Sequence, residues 1–152
     1  MEIRHKSVSE LTSMEYRACY RANFGPWHGY MSGELVRCRK GYPGEVIMLW
    51  DGPDDTTRSL LGWTLLTPVR KYGEIAVTPW VMKRSKYTAM FWVKKQHRLK
   101  GYGKILMTEV KKLDPRPHVM PHNSASSELF SSFEVQVLGA DKHWLKRKPK
   151  VA

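Results

Sequence analysis

The sequence predicts an α/β chain of the α+β type, with a mixed, mostly antiparallel central sheet flanked by helices. Three observations carry this. The short apolar runs at residues 45–50, 60–66 and 88–94 are rich in aromatic and branched side chains and are bounded by turn residues, so they read as strands. Residues 11–21 and 105–113 instead repeat apolar side chains at helical spacing. The 152 residues are 41% hydrophobic and 26% charged, with six Trp, seven Tyr and four Phe, a balance that folds around a core without a disulfide scaffold. A chain of this length buries roughly 70% of its unfolded surface in one core. The expected organisation is one domain over residues 1–145 and a basic tail over 146–152.

Residues 1–8 alternate weakly and read as a strand. Leu11, Met14, Ala18 and the arginines between them then open a helix, with Ser9 or Ser7 expected as its N-cap. Asn23-Phe24-Gly25-Pro26 stops it, Trp27-His28-Gly29-Tyr30 forms an aromatic connection, and a shorter helix is expected near 31–39. The run Glu45 to Trp50, the turn Asp51-Gly52-Pro53-Asp54-Asp55 and the run Leu60 to Leu66 predict an antiparallel hairpin. Residues 67–87, punctuated by Thr67-Pro68, Tyr72-Gly73 and Thr78-Pro79, predict a long excursion facing substrate. A buried strand over Thr88 to Lys94 passes through a glycine turn into an amphipathic helix ending at Leu113, where Asp114-Pro115-Arg116-Pro117 closes it. A strand near His118-Val119-Met120, a helix over 124–133, a strand over 134–138 and a basic end complete the prediction.

The charge is one-sided. Lys and Arg number 26 against 14 Asp and Glu, for a formal charge of +12. Residues 81–152 hold sixteen of the basic and five of the acidic side chains. That surplus fits a polyanion: a nucleic acid, an anionic membrane or a phosphorylated cofactor. Cys19 and Cys38 share neither a CxxC spacing nor clustered histidines, so they read as reduced, packed thiols, and no metal site is expected. A charged start and the lack of a long apolar run make the cytoplasm the expected location.

Arg98-Leu99-Lys100-Gly101-Tyr102-Gly103-Lys104 sits where a strand hands over to a helix. Its glycines let backbone approach a ligand, and the first amides of a helix suit a phosphate, with Arg98, Lys100 and Lys104 adding cations. A P-loop would need Gly where Arg98 stands, and a Rossmann turn would need a third Gly where Leu106 stands. What remains is a pyrophosphate held in another way.

Val93, Arg98, Gly101 and Gly103, followed by an amphipathic helix, resemble the central motif of the GNAT superfamily of acyl-CoA-dependent N-acyltransferases. Asn123, Ser126, Leu129 and Phe130 fall at the intervals of the family's next strand and helix. The resemblance implies a GNAT-like sheet splayed near Val93, with Phe91, Trp92 and Val93 binding the pantetheine arm of acetyl-CoA or another acyl-CoA. Arg98, Leu99, Lys100, Gly101, Tyr102, Gly103 and Lys104 would wrap the pyrophosphate, and Asn123 and Phe130 would complete the cofactor site. It implies transfer of an acetyl group to an amine by direct attack, in a monomer or homodimer. The acceptor would enter beside residues 25–30 and 67–87. Where the family often has a Tyr to protonate the leaving thiolate, this chain has Phe130; Asn123 and the hydroxyls of Ser127 or Ser131 stand as alternative catalytic groups, and Glu134 replaces a common Gly. No general base is assigned; Glu74, Asp51 and Glu45 are weak candidates.

Two other readings stand beside this one. The first keeps the fold as a binding protein that uses CoA, or only its shape, to modulate a partner. The second is a basic nucleic-acid-binding module built on the C-terminal run, with Trp144 as a stacking face.

Overall fold

The computed structural model describes residues 1–22, 28–52, 59–68, 86–94, 101–119 and 136–137. Strand β1 (Glu2–Ser7) leads through a 3-10 turn (Val8–Glu10) to helices α1 (Ser13–Ala22) and α2 (His28–Arg39). Strands β2 (Glu45–Trp50), β3 (Leu60–Pro68) and β4 (Tyr87–Val93) follow, then helix α3 (Tyr102–Leu113) and the short strands β5 (His118–Val119) and β6 (Gln136–Val137). The strands lie in one sheet in the order β1-β2-β3-β4-β5-β6. β1 with β2 and β2 with β3 are antiparallel, whereas β4 with β5 and β5 with β6 are parallel. The sheet is therefore mixed, with most of its registered residue pairs antiparallel, and β5 lies parallel to β4 because a helix rather than a hairpin separates them.

The expected N-cap of α1 is corrected. Leu11 N–H closes the 3-10 turn on Val8 O at 3.2 Å, and Leu11 itself is extended with ψ 138°, so Ser9 lies within that turn and Ser7 caps it rather than the helix. The helix restarts at Thr12, whose hydroxyl accepts from Glu15 N–H at 3.1 Å while its own N–H donates to Glu15 Oε1 at 2.9 Å. This is a reciprocal capping box. Helix α2 starts at His28, three residues before the expected 31.

Two compact units divide the chain: Met1–Thr67 with Met90–Glu109, and Pro68–Ala89 with Val110–Ala152. In the first, alternation along β2 and β3 sends Val46, Met48, Trp50, Leu60, Trp63 and Leu65 to the face covered by Ala18, Cys19 and Ala22 of α1 and Met31, Leu35 and Cys38 of α2. Small residues on α1 let that helix sit close to the sheet. Both cysteines are buried and neither forms a disulfide. Glu15 anchors α1 to the edge strand: its buried carboxylate accepts from Arg4 at 3.0 Å and Lys6 at 2.8 Å, while the Arg4 guanidinium lies 4.7 Å from the centre of the Trp50 ring. Burial pushes the Glu15 pKa up, but the hydrogen bonds from Lys6, Thr12 and Arg4 outweigh it and the net shift is downward.

The opposite face of β2 and β3 carries Ile47, Leu49, Gly62 and Thr64. A Cβ at Gly62 would meet Trp92 O at 2.9 Å and Leu106 Cδ1 at 3.3 Å, so the missing side chain is what lets β4 and α3 approach β3. In the second unit, Val110, Ala89 and Val119 are buried, with Ala89 and Val119 paired across β4 and β5.

Gly62→Ala is expected to destabilise the protein by about 1–3 kcal/mol, because backbone must move to admit the methyl group. Thermal unfolding followed by circular dichroism checks this; an unchanged midpoint would show that the close approach is not required.

Candidate functional site

Of the strand, turn and helix singled out in the sequence, the structure describes the strand up to Lys94 and the chain from Gly101 onward. Ala89 and Met90 of β4 are buried and Phe91, Trp92 and Val93 half-buried; Trp92 packs against the core shared with α1 and α2. β4 is fixed to β3 by Thr64, whose Oγ1 donates to Met90 O at 2.7 Å, and by Lys94 N–H, which donates to Leu61 O at 2.9 Å. Gly101 then adopts φ 86°, a left-handed conformation that side-chain-bearing residues rarely enter. The helical ladder begins with Ile105 N–H donating to Gly101 O at 3.1 Å. The amides of Gly103 and Lys104 therefore stand ahead of that ladder at the positive end of the α3 dipole. Leu106 and Met107 are fully buried, which fixes the rotation of the helix, while Lys104 is exposed at its first turn.

The far end of α3 is tied to the start of β4. Asp114, fully buried, accepts from Lys86 N–H at 2.7 Å and Tyr87 N–H at 2.9 Å through Oδ2, and from Arg116 N–H at 3.2 Å through Oδ1. The carboxylate thus satisfies three backbone donors that burial would otherwise leave costly. Beside it, Thr88 Oγ1 and His118 Nδ1 lie 3.2 Å apart across the parallel β4–β5 pair. His118 is 2% exposed and, among the described residues, its Nε2 has no hydrogen-bond partner. Burial depresses its pKa to about 4, so the imidazole is neutral at neutral pH.

Of the residues expected to hold a cofactor, Phe91, Trp92, Val93, Gly101, Tyr102, Gly103 and Lys104 stand on this β4-to-α3 unit. Arg98, Leu99, Lys100, Asn123, Ser127 and Phe130 lie outside the described residues, as do Trp27, Glu74, Ser131, Glu134, the excursion from 69 to 85 and the helix expected over 124–133. Of the base candidates, Glu45 is engaged by His5 Nε2 at 2.5 Å and Asp51 is exposed just after β2. Sequence reasoning missed Glu15, Asp114 and His118. Thr12-x-x-Glu15 is a legible capping signal, whereas nothing local marks His118 or Asp114 as buried.

Among the described residues, no group of three or more His, Cys, Asp or Glu is placed to hold a metal ion, and no helix is long and apolar enough to cross a membrane. No known protein family, curated protein or solved structure matches the chain.

Stability is expected to fall as pH drops from about 6.5 toward 4. In that window the unfolded chain protonates His118 at its ordinary value of 6.5 while the folded side chain, with its pKa near 4, stays neutral. At 1.36 kcal/mol per unit, the loss reaches roughly 2 kcal/mol by pH 5. The Glu15 pKa is shifted down as well, so its stabilisation is also lost as pH falls, but only below the ordinary 4.5 of a glutamate. Urea unfolding near pH 7 and pH 5 checks this: His118→Leu should flatten the difference, and an unchanged slope would refute the assignment.

Proposed function

We propose that the chain is an acyl-CoA-dependent N-acyltransferase that moves an acetyl group from acetyl-CoA to an amine by direct attack. One observation carries the reading: a half-buried strand passes through a left-handed Gly101 into a helix whose leading amides, those of Gly103 and Lys104, precede its hydrogen-bond ladder. Amides in that position, with Lys104 exposed beside them, suit a diphosphate. The order of elements from β1 to β5, with antiparallel β1 to β3 and parallel β4 and β5, agrees with the GNAT-like fold that the sequence resembles.

In this reading the pantetheine arm of the substrate lies along Phe91 to Val93. The pyrophosphate rests on residues 98–104. As the amine attacks the thioester, negative charge builds on the carbonyl oxygen, and a hydrogen-bond donor aimed at that oxygen contributes about 3–4 kcal/mol in a favourable site. The new C–N bond forms, the C–S bond breaks, and the ammonium proton leaves through water. Asn123 and Ser127 lie within the segment that the resemblance places beside the leaving sulfur, and one of them or water returns a proton to the thiolate.

A second reading is favoured by one residue. Phe130 offers no phenolic proton at the position where the resembling family often has one, which fits a protein that binds CoA without efficient turnover.

Calorimetry with acetyl-CoA is expected to show saturable binding. Gly103→Asp, or Arg98→Ala combined with Lys104→Ala, should weaken it at least tenfold with the thermal transition mostly intact. Titration curves that do not change would overturn the reading. In an amine screen followed by mass spectrometry, Phe130→Tyr should raise turnover where proton donation is limiting; acetyl-CoA binding with no product from either form would favour the second reading.

A further inference from the structure

Strand β1 ends the sheet, and the phase of its inner edge fixes that of its outer one. Val8 N–H donates to Gly44 O at 2.9 Å, which continues the register that sets Ser7 against Glu45. In an antiparallel pair the residues that exchange hydrogen bonds alternate, so Glu2, Arg4, Lys6 and Val8 turn their backbone groups toward β2 while Ile3, His5 and Ser7 turn theirs away. The Ser7 amide agrees, since it donates outward to the Glu10 carboxylate at 3.3 Å. Among the described residues β1 pairs with β2 alone, and Ile3 and His5 are exposed. The edge is therefore open up to the point where Glu10 takes the Ser7 amide, and an open edge is a template for another strand.

The side chains of β1 select which strand fits. Glu2, Arg4 and Lys6 share one face, and Met1, Ile3 and His5 share the other. Met1 is 64% and Ile3 42% exposed, and Ile3 stands opposite the buried Leu49, so the apolar face of the sheet runs out to its edge. A second copy laid antiparallel about a two-fold axis normal to the sheet matches both faces only when the axis passes through a residue. An axis through His5 sets Arg4 of each copy against Lys6 of the other. An axis through Arg4 sets that guanidinium against itself and calls on the Ser7 amide that Glu10 already holds. An axis through Ile3 instead sets Glu2 of each copy against Arg4 of the other, Ile3 against Ile3, and Met1 against His5. That register makes a square of alternating charge over an apolar pair, with no like charges opposed. Arg4 is already fixed for it by Glu15 at 3.0 Å, and the exposed Glu2 is held beside Arg4 at 3.0 Å.

We infer that the outer edge of β1 joins two copies of this chain, antiparallel about a two-fold axis at Ile3, into one continuous sheet. Backbone hydrogen bonds supply the attraction, and the charges on the other face reject the slipped registers. The surface lies wholly on the first unit and does not depend on acyl transfer.

The test is sedimentation equilibrium of the full chain from micromolar to millimolar concentration, which is expected to show monomer and dimer in exchange. Ile3→Pro removes the central pair of bonds between copies and leaves the β1–β2 ladder untouched, because the Ile3 amide faces away from β2. Glu2→Lys opposes like charges at both outer pairs. Each should weaken the dimer about tenfold or more, with the thermal transition of the monomer retained; should Ile3→Pro fail to fold, Glu2→Lys decides alone. Oxidation reads the register. Both native cysteines are buried, so Ile3→Cys should give a disulfide-linked dimer, as opposed Cα atoms about 5.5 Å apart allow, and His5→Cys should not. A chain that stays monomeric over the whole range, a dimer that Glu2→Lys leaves unchanged, or crosslinking through His5→Cys in place of Ile3→Cys would overturn the proposal.

Discussion

The absence of a side chain at Gly62 is the constraint on which the rest of the architecture turns. A strand in the middle of a sheet ordinarily gains from a branched side chain, and glycine there forgoes both packing and backbone stiffness. Here the vacancy is filled from outside, by the Trp92 carbonyl and the Leu106 side chain. β4 and α3 are thereby brought onto β3 at the level where β4 ends. Thr64 reinforces the approach by giving its hydroxyl to Met90 O, a bond that replaces a polar group's loss of water in a fully buried place. The geometry of the strand-to-helix junction is thus set by β3, well before the chain reaches it.

Buried carboxylates organise the two units in a similar way. Glu15 gathers two cations and a backbone amide to hold α1 on β1, and Asp114 gathers three backbone amides to close α3 on β4. Each would be expensive to bury alone, and each is surrounded by donors. His118 is treated differently: its Nδ1 has Thr88, its Nε2 has no partner among the described residues, and the ring answers burial by staying neutral.

The strands and helices of the first unit were legible because their signals are local. Glu45 to Trp50 matches β2 at both ends, and the alternation of β2 and β3 gives their two faces. The glycine turn before α3 was legible from Gly101 and Gly103, and Gly101 has the positive φ that such a residue permits. The N-cap was misplaced because two serines and a threonine lie within six residues, and only the extended backbone at Leu11 separates the 3-10 turn from the helix. The parallel share of the sheet was not legible, since β5 and β6 are two residues each and carry little pattern. Nor was the role of Asp114, whose partners Lys86 and Tyr87 are distant in sequence.

The two cysteines have a practical corollary. Cys19 and Cys38 are the chain's whole complement of sulfhydryls, and both are enclosed, Cys19 at 0% exposure with a thiol that burial keeps protonated. Thiolate is the nucleophilic form, so neither buried cysteine offers a thiol-directed reagent a reactive sulfur on the folded surface. Any chromophore developed by a disulfide reagent in a mixture of this protein and a thioester would report sulfur freed from the small molecule, with no background from the polypeptide.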